Sequence, residues 1–392
     1  MRDQQDSIAR VVRAIDTIKA GGMVIMTDDE DRENEGDLVA AASSITPQQI
    51  NFMAKEGRGL ICLAMSPELI DRLELPMMED RSKAGCMRET AFTVSIEARE
   101  GVTTGISAHD RAQTILTAIQ DGVTPRDIVV PGHIFPLRAR PGGCLERSGH
   151  TEGSVDIARL AGHKSAAVIC EIMNDDGSMA RMPDLELMSR KFDLPIVTIA
   201  DLIQFRLMQE RHVDLCDQRL LQTKYGTFQA YLFKSTVDGT QHFALTKGQP
   251  FSEEPIHVRV HNQRPLVDVF GDENHGGRRR IDQGLQMLRD HPQAVFVYLC
   301  REDHQFFMSQ ELKELSNQRP SAETHSPLPR IEMNQRQIGI GAQILRQLGV
   351  KNMIVHSTSK RPLKGLPGFG LQITGTEIIN PSSTRSEGAP HG

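Results

Sequence analysis

The sequence predicts a mixed α/β (α+β) fold arranged as two domains. Three observations carry this. Over residues 1–206 segments of helical periodicity alternate with short apolar runs suited to buried strands. From Tyr225 onward strand signals dominate instead. The length, 392 residues, also exceeds what one ordinary hydrophobic core organises.

Taken in order, Ser7 is placed to cap a helix whose apolar face is Ile8, Val11, Val12, Ile15 and Ile18, closed by Gly21-Gly22. Met23-Val24-Ile25-Met26 reads as a buried strand. Thr46-Pro47-Gln48-Gln49 is a capping box with proline in the first turn, and predicts a helix through Lys55. Leu60 to Met65 suits a second buried strand. Phe92, Val94, Ile96 and Ala98 alternate with polar residues, the pattern of a strand with one buried face. Ser107 caps a helix through Ile119, with Asp110 in its first turn. Further helices are expected over Thr151–Leu160, Pro183–Phe192 and from Asp201, with strands over Ala166–Met173 and Ile196–Ile199. The expected result is an α/β sandwich on a mixed sheet. Residues 207–224, polar and charged, read as a linker (a linker helix, or an early segment of the second domain), and 225–379 as the second domain. Within it Phe228–Phe233, Gln241–Thr246 and His257–His261 read as strands, 313–329 as a mobile loop and 380–392 as a disordered tail.

Composition narrows the function. Apolar residues make up 39% and charged residues 24%, an ordinary globular balance. A net charge of −6 argues against nucleic acid or an anionic membrane as partner. Cysteines 62, 86, 144, 170, 216 and 300 form no CxxC pair and read as reduced thiols. No signal core or membrane-length apolar run is present, so a cytoplasmic protein is expected. No glycine-rich phosphate loop of the dinucleotide or P-loop kind occurs.

Chemistry concentrates in a few segments. Asp28, Asp29, Glu30, Asp31, Glu33, Glu35 and Asp37 place seven carboxylates in ten positions directly after the first strand, with Arg32 the only cation among them. Such density suits either a solvated acidic turn or a hard divalent cation. Gly101 to Ser107 runs hydroxyls and glycines into a helix, which is either a capped helix or a seat for phosphate. Pro131-Gly132-His133 is either a turn or the setting of a catalytic imidazole. Arg147-Ser148-Gly149-His150-Thr151-Glu152 opens another helix, where Arg147 and Thr151 could hold phosphate and His150 a metal. Met77 to Thr90, with Arg81, Lys83 and Arg88, reads as a surface loop or a lid.

Together Asp31 to Asp37, Gly101 to Ser107 with Asp110-Arg111, Gly132-His133 and Arg147 to Glu152 closely resemble 3,4-dihydroxy-2-butanone 4-phosphate synthase of the riboflavin pathway. The resemblance runs in order from about residue 7 to 206. It implies a lyase that uses Mg²⁺ (or Mn²⁺) to convert ribulose 5-phosphate to L-3,4-dihydroxy-2-butanone 4-phosphate and formate. It further implies a homodimer with active sites near the subunit interface. On the family's pattern Glu33 and His150 would bind the metal. Arg32, Glu33, Asp37, Glu171 and the segment Arg147, Ser148, Gly149, His150 and Thr151 would contact substrate, and His133 and Glu171 would be catalytic. Glu171 ends an apolar run, where burial would raise its pKa and suit it to proton transfer. Asp28, Asp29 and Glu30 would shape the site or handle protons.

From about Tyr225 to Ile378 the chain resembles GTP cyclohydrolase II more distantly, through Val258-Arg259-Val260-His261, Asp268 to Gly271, Ile338 to Leu345 and Gly365 to Leu371. That family's three zinc cysteines fall on Arg264, His275 and Gly277 here, its Gly-Arg-Gly on Asp303-His304-Gln305 and its catalytic aspartate on Asn334; Arg336 matches. No zinc and no GTP opening are therefore expected. A structural or regulatory domain is expected instead, able to recruit a riboflavin-pathway protein.

Overall fold

The computed structural model describes residues 2–29, 32–78, 91–249, 251, 254–271, 278–300, 335–357 and 366–379. It divides into two compact units, residues 1–206 and 207–392. Expectations for the Met77–Thr90 lid beyond Met78, the 313–329 loop, the 380–392 tail, and Glu30, Asp31, His275, Gly277, Asp303, His304, Gln305 and Asn334 fall outside the described residues.

The first unit is a seven-stranded mixed sheet between two helical layers. Its strands are β1 (Met23–Thr27), β2 (Gly36–Ala41), β3 (Cys62–Met65), β4 (Ile96–Ala98), β5 (Ile128–Arg138), β6 (Ala166–Glu171) and β7 (Ile196–Thr198), in the order β4-β5-β3-β6-β2-β1-β7. β1–β7 and β3–β5 are parallel and the other pairs antiparallel.

Strand alternation sorts the apolar residues onto the two faces. Ile25, Leu38, Ala40, Leu63, Val168 and Cys170 join one core with Ile50, Ile70, Ile115 and Leu185. Val24, Met26, Val39, Ala41, Ala167 and Ile169 join the other with Val11, Ala14, Ile18, Ile157 and Leu202. The first helical layer is α2 (Pro47–Phe52), α3 (Pro67–Arg72), α4 (Ala108–Ile119) and α6 (Met182–Phe192); the second is α1 (Arg2–Lys19), α5 (His150–Leu160) and α7 (Ile199–Gln209).

The capping signals act as the sequence predicts at two helices. The Gln49 amide donates to Thr46 Oγ1 while the Thr46 amide donates to Gln49 Oε1, and the Asp110 amide donates to Ser107 Oγ. Ser7 is no cap, because α1 begins at Arg2; its hydroxyl accepts from Arg10 instead. Good helix formers such as Arg2 and Gln4 extend the helix beyond the apolar stripe, and Val12 lies on its exposed side. Only Ile96–Ala98 of the alternating 92–98 stretch is a strand, since Phe92 and Thr93 bridge to different partners, Leu137 and Met77.

The second unit holds another seven-stranded sheet: β8 (Val213–Thr223), β9 (Gly226–Ser235), β10 (Gln241–Lys247), β11 (Ile256–Asn262), β12 (Ala294–Leu299), β13 (Asn352–Ser357) and β14 (Gln372–Ile378). The order is β14-β13-β11-β12-β10-β9-β8, with α8 (Pro265–Asp268), α9 (Arg279–Asp290) and α10 (Gln335–Gln347). Where a linker is expected over 207–224, the structure places β8, the edge strand of this sheet, paired along β9. Its residues are almost all exposed, so it lacks the buried apolar face that marks a strand in sequence.

A buried ion pair ties the second helical layer together. Arg206 on α7 donates through Nη1 to Asp156 Oδ2 of α5 at 2.8 Å and to the Gly142 carbonyl, while the Cys144 amide also donates to Asp156. Asp156→Ala is expected to leave a buried guanidinium without this carboxylate and to lower unfolding free energy by ~3 kcal/mol in urea titrations. A loss below ~1 kcal/mol would mean that water replaces the pair.

Candidate active site

The site lies where β1 ends, β2 begins and β6 ends. Asp37 and Glu171 face each other in register across β2–β6. The loop from Thr27 to Gly36 turns around Asp28, whose carboxylate accepts from the Glu33 amide at 3.0 Å, the Glu35 amide at 2.9 Å and Arg32 Nη1 at 2.8 Å. Asp28 thus shapes the loop by satisfying its backbone donors. Arg32 also donates to Glu33 Oε2 at 2.9 Å. Asp29 is exposed, and its carbonyl accepts from the Arg32 amide.

His150, the first residue of α5, sits buried beside this loop, with Nδ1 3.8 Å from Glu33 Oε2. That separation makes an ion pair rather than a hydrogen bond. Its Nε2 is buried and meets no hydrogen-bond partner among the described residues. Donor atoms of Asp28, Glu33 and His150 all lie within 4.8 Å of one another. An orphaned imidazole nitrogen beside two carboxylates fits a divalent cation held by these residues.

Electrostatics follow from this crowding. Burial pushes the Asp37 carboxyl up to about 7, with Glu171, Glu33 and Glu35 adding to the rise against the field of His150. Burial disfavours a charged His150, yet Asp37, Glu33 and Asp28 outweigh it and raise the imidazole to about 9. His150 is the strongest influence on Glu33, which against its own partial burial falls to about 2 with help from Arg32.

Glu171 is half-buried rather than enclosed, and its Oε2 accepts from the Leu60 amide at 2.8 Å. The turn after α2 makes this possible: one wide helical turn, Met53–Gly57, ends at Arg58 in the left-handed conformation, φ 67°. A Cβ on Gly59 would approach the Glu171 backbone oxygen to 2.4 Å, so only glycine lets the loop close on this acid.

Arg147 donates through Nη1 to Glu152 Oε2 at 2.6 Å. Gly149 is the N-cap of α5 and no side chain caps that end, with Thr151 buried in its first turn and Ser148 exposed before it. A basic residue beside an uncapped helix start is chemistry that favours an anion.

His133 stands apart from these groups. Its Nδ1 lies 2.7 Å from Glu97 Oε2, which also accepts from the His133 amide, and Glu97 Oε1 accepts from Thr114. The Gly101–Ser107 segment wraps Asp110, which accepts from Thr103 and from the Gly105 amide. Register puts His133 at the same end of the sheet as Glu171, on β5 with β3 between them. Two strand spacings make that about 10 Å.

Sequence reasoning did not find Glu97, which fixes the His133 tautomer, because a lone acid in a short strand carries no pattern. It also missed Arg181, whose Nη1 donates to the carbonyls of Glu33 and Asn34 and holds the acidic loop.

In the second unit Arg264 is buried, and its amide donates to Asp268, which also accepts from His261 and Tyr298. Among the described residues neither group able to hold a metal includes a cysteine.

The family model of 3,4-dihydroxy-2-butanone 4-phosphate synthase matches residues 12–205, and that of GTP cyclohydrolase II residues 215–377. A Pseudomonas aeruginosa protein, "3,4-dihydroxy-2-butanone 4-phosphate synthase", is 45% identical over 92% of this chain and 96% of its own length. The chain belongs to the 3,4-dihydroxy-2-butanone 4-phosphate synthase family. A second relative, "Riboflavin biosynthesis protein RibBA" of Aquifex aeolicus, is 45% identical over 93% of this chain and 90% of its own. The solved two-domain synthase RibBX of A. baumannii superposes with a TM-score of 0.77 at 40% identity, covering 94% of this chain and 99% of that one. The fused arrangement, a synthase domain followed by a GTP cyclohydrolase II-like domain, is thus that of the family. No helix among the described residues is long and apolar enough to cross a membrane.

In this synthase-family site the buried Asp37 carries a direct consequence for stability. A carboxyl lifted to about 7 scarcely penalises the fold at pH 4; the cost grows as pH rises from about 4 toward 7, where the unfolded chain ionises and the folded one does not, and levels off above 7. Asp37→Asn is expected to stabilise the protein at pH 8 by on the order of 2 kcal/mol and to change little at pH 4, read as melting temperature against pH. Equal effects at both pH values would show that Asp37 is not the strained acid.

Proposed function

We propose that this chain converts D-ribulose 5-phosphate to L-3,4-dihydroxy-2-butanone 4-phosphate and formate, as a cytoplasmic enzyme of riboflavin biosynthesis. The observation that carries this reading is the meeting of Asp28, Glu33 and His150 with the facing pair Asp37–Glu171 at one end of the sheet. Family membership supports the same reading.

Glu33 and His150 would hold a Mg²⁺ (or Mn²⁺) ion, which when bound supplies Lewis-acid polarisation of the substrate's oxygens. The sugar phosphate is seated by Arg147, Ser148, Gly149 and Thr151, where the first amides of α5 and the guanidinium offer positive charge. Arg32 and Asp37 contact the sugar, and Asp37, lifted to about 7, holds or releases a proton near neutral pH. Glu171 is oriented by the Leu60 amide toward the substrate carbons. Glu97 keeps the proton of His133 on Nδ1 and leaves Nε2 as the base. Enolisation, carbon migration and fragmentation need several such proton transfers, and His133 with Glu171 supply them.

His133 is 42% exposed and separated from Glu171 by a strand, an arrangement suited to a homodimer in which sites form near the subunit interface. The second domain, with Arg264 in place of a zinc thiolate, does not open GTP and serves a structural or regulatory role, including recruitment of a pathway partner.

Purified protein with Mg²⁺ should release formate from ribulose 5-phosphate, and Glu33→Gln should reduce the rate by ~100-fold or more. Absence of formate from the wild type sinks the assignment, whereas full activity in Glu33→Gln moves the metal elsewhere. Incubation with GTP should leave it intact; turnover would restore the cyclohydrolase.

Because His150 holds its proton up to about 9, a cation must displace that proton at neutral pH. Apparent Mn²⁺ affinity should therefore climb between pH 6 and 9, by up to ~tenfold per unit. A flat titration series would remove His150 from the ligand set.

A further inference from the structure

The second unit contains another group of metal-type donors that the synthase reading leaves unused. It stands on one face of the parallel half of the sheet, where β14, β13 and β11 are neighbours. In register His257 faces Ile354, Ile354 faces Gly375 and His356 faces Glu377. Residues two apart on a strand share a face, so His257, His356 and Glu377 project to the same side. His291, which follows α9, brings a third imidazole and stacks on His257 with ring centroids 3.4 Å apart and planes 15° apart.

The distances are short throughout. His257 Nδ1 lies 2.8 Å from His356 Nε2, and Glu377 lies 3.9 Å from the first and 3.5 Å from the second. Donor atoms of all four residues lie within 4.8 Å of one another.

We propose that His257, His291, His356 and Glu377 form a binding site for a transition-metal dication of the zinc class. Three imidazoles and one carboxylate are a donor set typical of zinc and its neighbours. Tetrahedral ligands at ordinary zinc distances stand about 3.3 Å apart, and the observed spacings straddle that value. Mg²⁺ favours oxygen and retains water, so the site discriminates against the cation of the first unit.

A plain imidazole–imidazole hydrogen bond accounts for His257 and His356 alone. It leaves unexplained the third ring on the same spot and the carboxylate turned toward both nitrogens. Two nitrogens 2.8 Å apart cannot both carry protons, so one lone pair already accepts the hydrogen bond between them, and a bound ion would take the place of that shared proton. His356 is 8% exposed and Glu377 lies at the open rim, which gives the ion a route in.

The site shares no residue with the positions matched to the cyclohydrolase cysteines, Arg264, His275 and Gly277. The expectation of no zinc, drawn from those positions, does not extend to this one. Bound here, the ion pins edge strand β14 to β13 and β11.

The test uses the untagged full chain, stripped with chelator and titrated with Zn²⁺ under saturating Mg²⁺. One zinc per chain is expected by elemental analysis, with sub-micromolar affinity by competition against a chromogenic chelator. The double variant His257→Ala/His356→Ala should lose ~100-fold in affinity while keeping its Mg²⁺-dependent formate release. Glu377→Gln, a change at an exposed edge residue, should weaken zinc without altering the metal-free melting temperature. Glu33→Gln should leave zinc affinity unchanged. Binding below one zinc per chain, or retention by the double variant, overturns the proposal.

Discussion

The first unit is organised around an excess of carboxylate at the end of its sheet. Asp28, Glu33 and Asp37 converge on one buried imidazole, His150, and Glu171 faces Asp37 across the sheet. No nearby arrangement of this chain neutralises them fully, so each acid is managed differently. Asp28 turns inward and serves as the acceptor for its own loop. Glu33 stays ionised against His150 and Arg32, whereas Asp37 resists ionisation. The start of α5, which no side chain among the described residues caps, carries His150 beside Glu33. Close packing around the acids also dictates residue size. A Cβ on Gly36 would meet Leu185 Cδ1 at 2.5 Å, so the buried Leu185 side chain on α6 would have to shift.

The same crowding explains how the fold and the chemistry are joined. Strand ends are where backbone pairing stops and side chains can be aimed independently of the ladder. Asp37 stands at the start of β2 and Glu171 at the end of β6, β3 is reached through the wide turn that presents Leu60, and β5 carries His133 midway along its length. The acids therefore need no long-range network to meet; the register of the sheet delivers them. Second contacts then fix each one, as Glu97 does for His133 and the Leu60 amide for Glu171.

Elements with a strong local signal were legible in the sequence, and those defined by tertiary pairing were not. The caps at Thr46 and Ser107 depend on side chains three residues from their partners, so they could be read directly. Strand β8 could not, because an exposed edge hairpin has no buried face to leave a pattern. Ser7 misled because a hydroxyl before an apolar stripe resembles a cap wherever helix-forming residues extend the turn. In the site, Glu33, Asp37, His150 and Glu171 were legible through motif strings and lie together. Glu97, Gly59 and Arg181 were not, since each matters through a partner far away in sequence. His133 was legible as a residue, but its distance from Glu171 depends on strand order, which no local pattern encodes.

The two units also separate two kinds of cation chemistry within one chain. In the first, carboxylates outnumber the imidazole and the donors are hard; in the second, imidazoles outnumber the carboxylate. In the second, Asp268 is committed to His261, Tyr298 and the amide of buried Arg264. The core of the same unit is Phe228, Met287, Leu288, Ala294 and Phe296. The His257–His291–His356–Glu377 group then acts on the exposed edge strand, the part of the sheet with least packing to hold it. A dication there would add order where the core contributes least.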